Sequence, residues 1–260
     1  MSVADALAGP VRAALEELLL ALADDELVIG YWDSEWTGIA PMLEEDVAMT
    51  SLATDELGHA RAFYTLLGEL TGRDPDAIAY DRAADAFRHA RIVDHPRTDW
   101  AFSITRRWLY DTADAVRLEA LASSSYLPLA ELVAKVRREE RYHVMHADAW
   151  LRRLAGSDAV ARGHLERAWT TLVDDCAGVF APLPGEAALV ASGILPVAMD
   201  ELAGRWIAQA DAVARELGLA RPRPSTTESR ARSRLDHSAD FDWLWTEITS
   251  VRRLDPAATW

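Results

Sequence analysis

Apolar residues recur at spacings of three and four along almost the whole chain, and no sustained period-two alternation rich in Val, Ile and Thr interrupts them. The pattern predicts an all-α protein. Glycine and proline fall mostly between the periodic segments, so helices are expected at Val11 to Trp32, Met42 to Leu70, Pro75 to Arg91, Trp100 to Ala122, Leu129 to Leu154, Asp158 to Phe180 and Gly185 to Leu217. The stretch from Ala220 to Arg234, containing RPRPSTTESRARSR, reads as a polar, basic linker. A last short helix from His237 to about Arg253 is expected to dock back through Trp243, Leu244 and Ile248. With no internal repeat, the organisation is one helical domain over 1–219 followed by a linker and docking arm over 220–260.

The stripes contain intruders. Met49, Leu52, Glu56, His59, Phe63, Leu66 and Leu70 follow one another at three and four, as do Val133, Val136, Glu140, His143, Ala147, Trp150 and Leu154. Each stripe thus carries a Glu-x-x-His pair at core positions, and residues three apart on a helix present both side chains to one neighbour. An isolated pair of this kind is more often a solvated surface feature; here both lie where apolar residues belong. A buried carboxylate needs a counter-charge. A four-helix carboxylate centre also needs one acid from each of the other two helices. The stripe Leu15, Leu19, Leu22, Glu26, Ile29 offers Glu26, and Ile104, Trp108, Asp111, Ala115, Leu118 offers Asp111. In an antiparallel hairpin, residues at equal height are equidistant from the turn, because each residue rises about 1.5 Å. The midpoint of Glu26 and Glu56 is Pro41, and that of Asp111 and Glu140 falls between Ser125 and Tyr126, both at expected turns.

The predicted metal ligands are therefore Glu26, Glu56, His59, Asp111, Glu140 and His143. Four carboxylates balance two divalent ions, and oxygen and imidazole donors without thiolate suit iron, or alternatively manganese, and O₂ chemistry. Zinc hydrolysis is disfavoured by the absence of HExxH. Among the remaining histidines, His146 is expected at the core edge or against a ligand. His89, His95, His164 and His237 are expected to be surface or capping residues. Most of the ten tryptophans are read as core or interface anchors.

Composition changes the picture only by exclusion. Lys+Arg 27 against Asp+Glu 42 give a net charge of -15 with 50% hydrophobic residues, which fits a folded protein and argues against binding nucleic acid or anionic membrane. Cys176 stands alone and is expected to be a buried spectator. Met1 to Pro10 lacks the basic start and apolar run of a signal peptide, and charges interrupt every apolar run, so a cytoplasmic protein is expected.

Several segments resemble the phenylacetic acid catabolic family, most of all its C-type subunits: ADDELVIG, SEWTGIAPMLEEDVAMTSLATDELGHAR, the helix beginning DWAFSITRRWLYD, REERYH and the final LDPAATW. The resemblance covers nearly the whole chain. It implies a ferritin-like four-helix bundle and membership of the multicomponent oxygenase that converts phenylacetyl-CoA to its ring-1,2-epoxide. It also implies a catalytic A-type partner, a reductase delivering electrons from NADPH, an aromatic acyl-CoA substrate and O₂, within a homo- or hetero-oligomer. Familiar C-type subunits have lost most metal ligands, whereas here all six positions are filled, in the order seen in A-type subunits and in the related benzoyl-CoA epoxidase. The leading expectation is a di-iron oxygenase component. A non-catalytic assembly role is the alternative, and a ferritin-like ferroxidase or peroxide scavenger is a third, disfavoured by the helices after Leu154. Residues that bind CoA are not legible in the sequence; Arg61, Arg106 and Arg107 are candidates by charge alone.

Overall fold

The computed structural model describes residues 7, 9–223 and 234–255 and is helical with no strand among them. Four long helices form the frame: α1 (Gly9–Ser34), α2 (Leu43–Thr71), α5 (Trp100–Leu121) and α6 (Leu127–Ala155). α1 pairs with α2 and α5 with α6 through short connections, giving two antiparallel hairpins packed as a ferritin-like bundle. The first hairpin has α2 opening on Glu44, Glu45 and Asp46, where negative charge suits the helix dipole, and closing on Gly72 in the left-handed region with its N–H bonded to Gly68. Asp99 caps α5, its carboxylate accepting from the Phe102 N–H at 2.9 Å.

Three expected helices are broken into shorter elements. Between α2 and α5 the chain forms α3 (Pro75–Tyr80), a 3₁₀ turn (Ala84–Ala86) and α4 (Arg91–Asp94) instead of one helix from Pro75 to Arg91. Two buried acids of α1 capture this backbone. Asp24 accepts the Arg88 N–H at 2.7 Å and the Arg82 guanidinium at 3.0 Å, and Asp25 accepts the Ala90 N–H at 2.6 Å. The segment from Asp158 becomes α7 (Ala159–Leu172) and a 3₁₀ turn (Asp175–Phe180), and that from Gly185 becomes α8 (Glu186–Ala191) and α9 (Met199–Leu217). Gly193 at φ 73° and Pro196, which has no N–H to donate, separate the last pair.

α7 and α9 pack on α5, which is buried on nearly all sides. α10 (Ala239–Leu254) docks over the α2-to-α5 crossover through Leu244 and the partly buried Ile248, as expected, and through Phe241 and Trp245, whose rings lie 5.2 and 4.7 Å from Phe87. Trp243 is half exposed yet stacks on Trp32 at 5.9 Å. Most of the expected linker and the Pro-Ala-Ala-Thr-Trp ending lie outside the described residues. Of the histidines expected at the surface or at caps, His89 is instead buried and stacks at 4.1 Å on the part-buried His237 at the start of the arm. His95 pairs with Asp175 and His164 with Asp99. Cys176 is buried as expected. No helix among the described residues is long and apolar enough to cross a membrane.

Candidate metal centre

Both polar-interrupted stripes face inward, so Glu26, Glu56, His59, Asp111, Glu140 and His143 are all buried in the middle of the bundle. Close approach of the first hairpin is made possible by Gly30, one turn beyond Glu26. A methyl there would sit 3.0 Å from Glu56 Cβ. His59 Nδ1 lies 3.4 Å from Glu26 Oε2, 3.8 Å from Glu56 Oε2 and 3.2 Å from Glu140 Oε1. His143 Nδ1 lies 3.3 Å from Glu56 Oε1 and 3.2 Å from Glu140 Oε1. Carboxylates also hold the outer edges of both rings: His59 Nε2 bonds Glu139 at 2.7 Å, and His143 Nε2 bonds Asp55 at 3.3 Å. An ionised carboxylate only accepts, so each Nε2 carries its proton outward, which leaves Nδ1 as the ring atom a metal would take once its own proton has left.

The fit to a cation can be read from orphaned atoms. Glu26 Oε2, Glu56 Oε2, both oxygens of Glu140 and the two Nδ1 atoms are buried without a hydrogen bond. Buried polar atoms are normally satisfied, and orphans crowded in the bundle interior fit a cation between them; both Asp111 oxygens and Arg107 Nη2 are orphaned beside them. Donor atoms from Glu26, Glu56, His59 and Glu140 lie within 4.8 Å of one another, close to the about 4 Å that separates donors on opposite sides of one transition ion.

Asp111 stands apart from this group. Its carboxylate faces Arg107, one turn earlier on α5, at 3.2 Å. Arg107 is fully buried, bonds Glu56 with the same guanidinium and reaches Asp33 at 3.2 Å. Its neighbour Arg106, also fully buried, holds the other Asp33 oxygen at 2.5 Å and the His95 carbonyl. Neither arginine meets solvent, which corrects the expectation that they are available for CoA phosphates; Arg61 alone of the three is exposed. Tyr110, also missed in the sequence, donates to Glu26 at 3.0 Å. His146 sits at the rim, bonded to Glu45 at 2.7 Å and outside the cluster.

Protonation follows from crowding. Burial, reinforced by the Glu56 charge, pushes Glu26 well above the usual carboxylate range, and burial does the same to Asp111. Burial also opposes the charge on Glu56, but Arg107 and the two histidines outweigh it and hold that carboxyl well below the range. His143 is pushed up to about 12 against the effect of burial, by Glu140, Asp55 and Glu56, and His59 also rises, through Glu140, Glu26 and Glu56. Protons on the two rings compete with a metal for the same lone pairs, so metal uptake releases them.

Beside the cluster, a groove of about 640 Å³ between α5 and α6 has Glu140 in its wall. Its apolar lining includes Val116, Val144 and Met145, and Arg137, Arg138 and Arg141 stand along it.

The family model described as phenylacetic acid catabolic protein matches residues 2–260. The chain belongs to that family. It is 29% identical to the C-type component of 1,2-phenylacetyl-CoA epoxidase from Escherichia coli (strain K12) over 242 residues, 93% of this chain and 97% of the relative. It is 28% identical to the A-type component of the same enzyme over 121 residues, 46% of this chain and 39% of that one.

Proposed function

We propose that this protein is a component of a multicomponent oxygenase of the phenylacetyl-CoA epoxidase type, acting in aerobic breakdown of aromatic acyl-CoA thioesters, with an iron centre in its own bundle. The observation that carries the reading is the convergence of orphaned carboxylate and imidazole atoms from α1, α2 and α6, in a chain that matches an epoxidase component over nearly its full length. The six residues Glu26, Glu56, His59, Asp111, Glu140 and His143 are the candidate ligand set, of a composition that in full use would hold two iron ions; manganese satisfies the same donors. Iron held by such donors supplies O₂ activation with electrons delivered by a reductase. The protein's part is positioning: Tyr110 holds Glu26, Glu139 and Asp55 fix the two imidazoles, and the apolar side of the groove beside Glu140, with Val116 and Val144, offers an aromatic acyl group a surface to lie against. Arg137, Arg138 and Arg141 along that groove suit the phosphates of CoA. An A-type component of the oxygenase is the expected partner, in the cytoplasm.

A second reading, a non-catalytic assembly role, is favoured by Arg107 standing against Asp111 and by the longer match to the C-type relative than to the A-type one. Reconstitution separates them. The chain, co-expressed with the A-type component and reductase of its own organism, is expected to co-purify and support phenylacetyl-CoA-dependent NADPH oxidation. Loss of turnover in a Glu140→Ala complex that still assembles supports chemistry in this chain, and unchanged turnover supports the assembly role. Failure to co-purify or to support any turnover overturns both.

A further inference from the structure

In full use the six-residue set would hold two ions, yet the halves of the centre differ. Orphaned atoms lie on both sides: Glu26, Glu56, His59 and Glu140 crowd together on one, and both Asp111 oxygens and His143 Nδ1 lack a hydrogen bond on the other, so what differs is the cation already in place. On that second side, the Arg107 guanidinium bridges Glu56 and Asp111 and touches Asp33. We infer that this centre holds one metal ion per chain and that Arg107 is its built-in second cation, filling the place between Glu56 and Asp111 where another ion would bind. The inference rests on the reading of the cluster as a metal centre.

Residue type, position and surroundings all support it. Arginine does not lose its proton in proteins, so unlike lysine it cannot become neutral to admit a neighbouring cation. Its planar fork suits simultaneous contact with two carboxylates. Position 107 is fully buried on the most enclosed helix, so the guanidinium has no short path to water. Asp33 accepts from Arg107 Nη1 at 3.2 Å through one oxygen and from Arg106 through the other, and Arg106 is tied to the His95 carbonyl. The pair of buried arginines and Asp33 therefore form a fixed wall behind Asp111. An ion bound by Glu56 and Asp111 would share both ligands with a permanent positive charge in a medium that screens poorly.

The test is metal stoichiometry with a spin-state readout, on the full chain loaded anaerobically with Fe(II), desalted and then oxidised. The wild type is expected to retain about one iron per chain and to give the paramagnetic resonance of an isolated ferric ion. Arg107→Met, which keeps the length of the side chain and removes its charge, is expected to retain about two, coupled into a resonance-silent pair with a Mössbauer doublet. Arg107→Lys, able to neutralise, is expected to fall between. About two coupled irons in the wild type would overturn the inference and leave the metal centre standing. No iron in the wild type would overturn the metal centre itself, and the inference with it. A folded Arg107→Met variant that retains a single iron would show that Arg107 is not the limit. Should that variant fail to fold, the wild-type count and spin state decide alone.

Discussion

Glu56 faces two imidazoles, a second buried glutamate and an arginine at once. A cation would complete that set, because the existing partners leave Glu56 Oε2 orphaned. Replacing Glu56 by Ala is expected to weaken Fe(II) binding by at least about 100-fold, measured by competition with a chelator. Binding within about threefold of wild type would contradict its role. Tyr110→Phe tests positioning: removal of the hydroxyl that orients Glu26 is expected to cost about tenfold in affinity with an unchanged circular dichroism spectrum. At this scale the burial of the six acidic and imidazole residues was legible because each interrupts an apolar stripe. That of Arg107 was not, since an arginine in a sequence is read by default as a solvated charge. Its signal was there: position 107 lies three beyond Ile104 and four before Asp111, on the stripe's own face. Asp24, Asp25 and Asp33 were missed for the same reason, lying on α1 beside a stripe in which only Glu26 was sought.

Helices expose a different limit of local reasoning. Periodicity located the long helices to within about two residues, since α1, α2, α5 and α6 bury apolar faces continuously. It failed between Pro75 and Arg91, where the backbone is claimed by Asp24 and Asp25 more than 50 residues away, and no local pattern reveals such a partner. The close approach of α1 and α2 depends on Gly30. Gly30→Ala is expected to lower stability by about 1–3 kcal/mol through overpacking against Glu56 and Leu57, read from urea unfolding. An unchanged midpoint would mean that the hairpin has slack the structure does not show. The docked arm has its own signature. Burial, with the neighbouring His89, pulls His237 from an ordinary 6.5 down to about 4. Its other polar neighbours are the Phe87 carbonyl, bonded at 3.1 Å, and Asp94, which bonds His89 and the Ser238 N–H. The released histidine binds a proton more readily than the docked one, so the contribution to docking is complete above pH 6.5 and is lost as pH falls toward 4. Trp243 and Trp245 fluorescence should report the arm loosening across that window in wild type; a flat profile, or the same profile in His237→Phe, would contradict this account.

Across the whole molecule, charge is organised in depth. The acid excess continues inward, where two of the buried networks among the described residues stand out. One is the Glu/His cluster with Arg107; the other joins Asp25 and Asp114 to Arg117 and to Arg234 of the arm. Arg234 also bonds the Arg88 and Val179 carbonyls, tying the arm to the crossover and to the 3₁₀ turn Asp175–Phe180. Arg234→Ala is expected to destabilise by about 3 kcal/mol, because it leaves buried Asp25 with one fewer cation. A loss below about 0.5 kcal/mol by urea unfolding would remove Arg234 from this role. Metal should stabilise the same molecule: at 100 times its dissociation constant a bound ion adds about 2.7 kcal/mol, so chelation is expected to lower the thermal midpoint by about 5 °C or more. The bundle itself follows from residue periodicity, whereas the arm's anchor at Arg234 could not be read from a run of basic residues that otherwise resembles a solvated linker.

The most direct test of the central claim is crystallographic: anomalous diffraction above and below the iron edge from the Fe(II)-loaded protein. A peak is expected among Glu26, Glu56, His59 and Glu140, within bonding distance of His59 Nδ1 and absent below the edge. A fully loaded crystal with no peak there, and with His59 Nδ1 hydrogen-bonded to the carboxylates in its place, would contradict it.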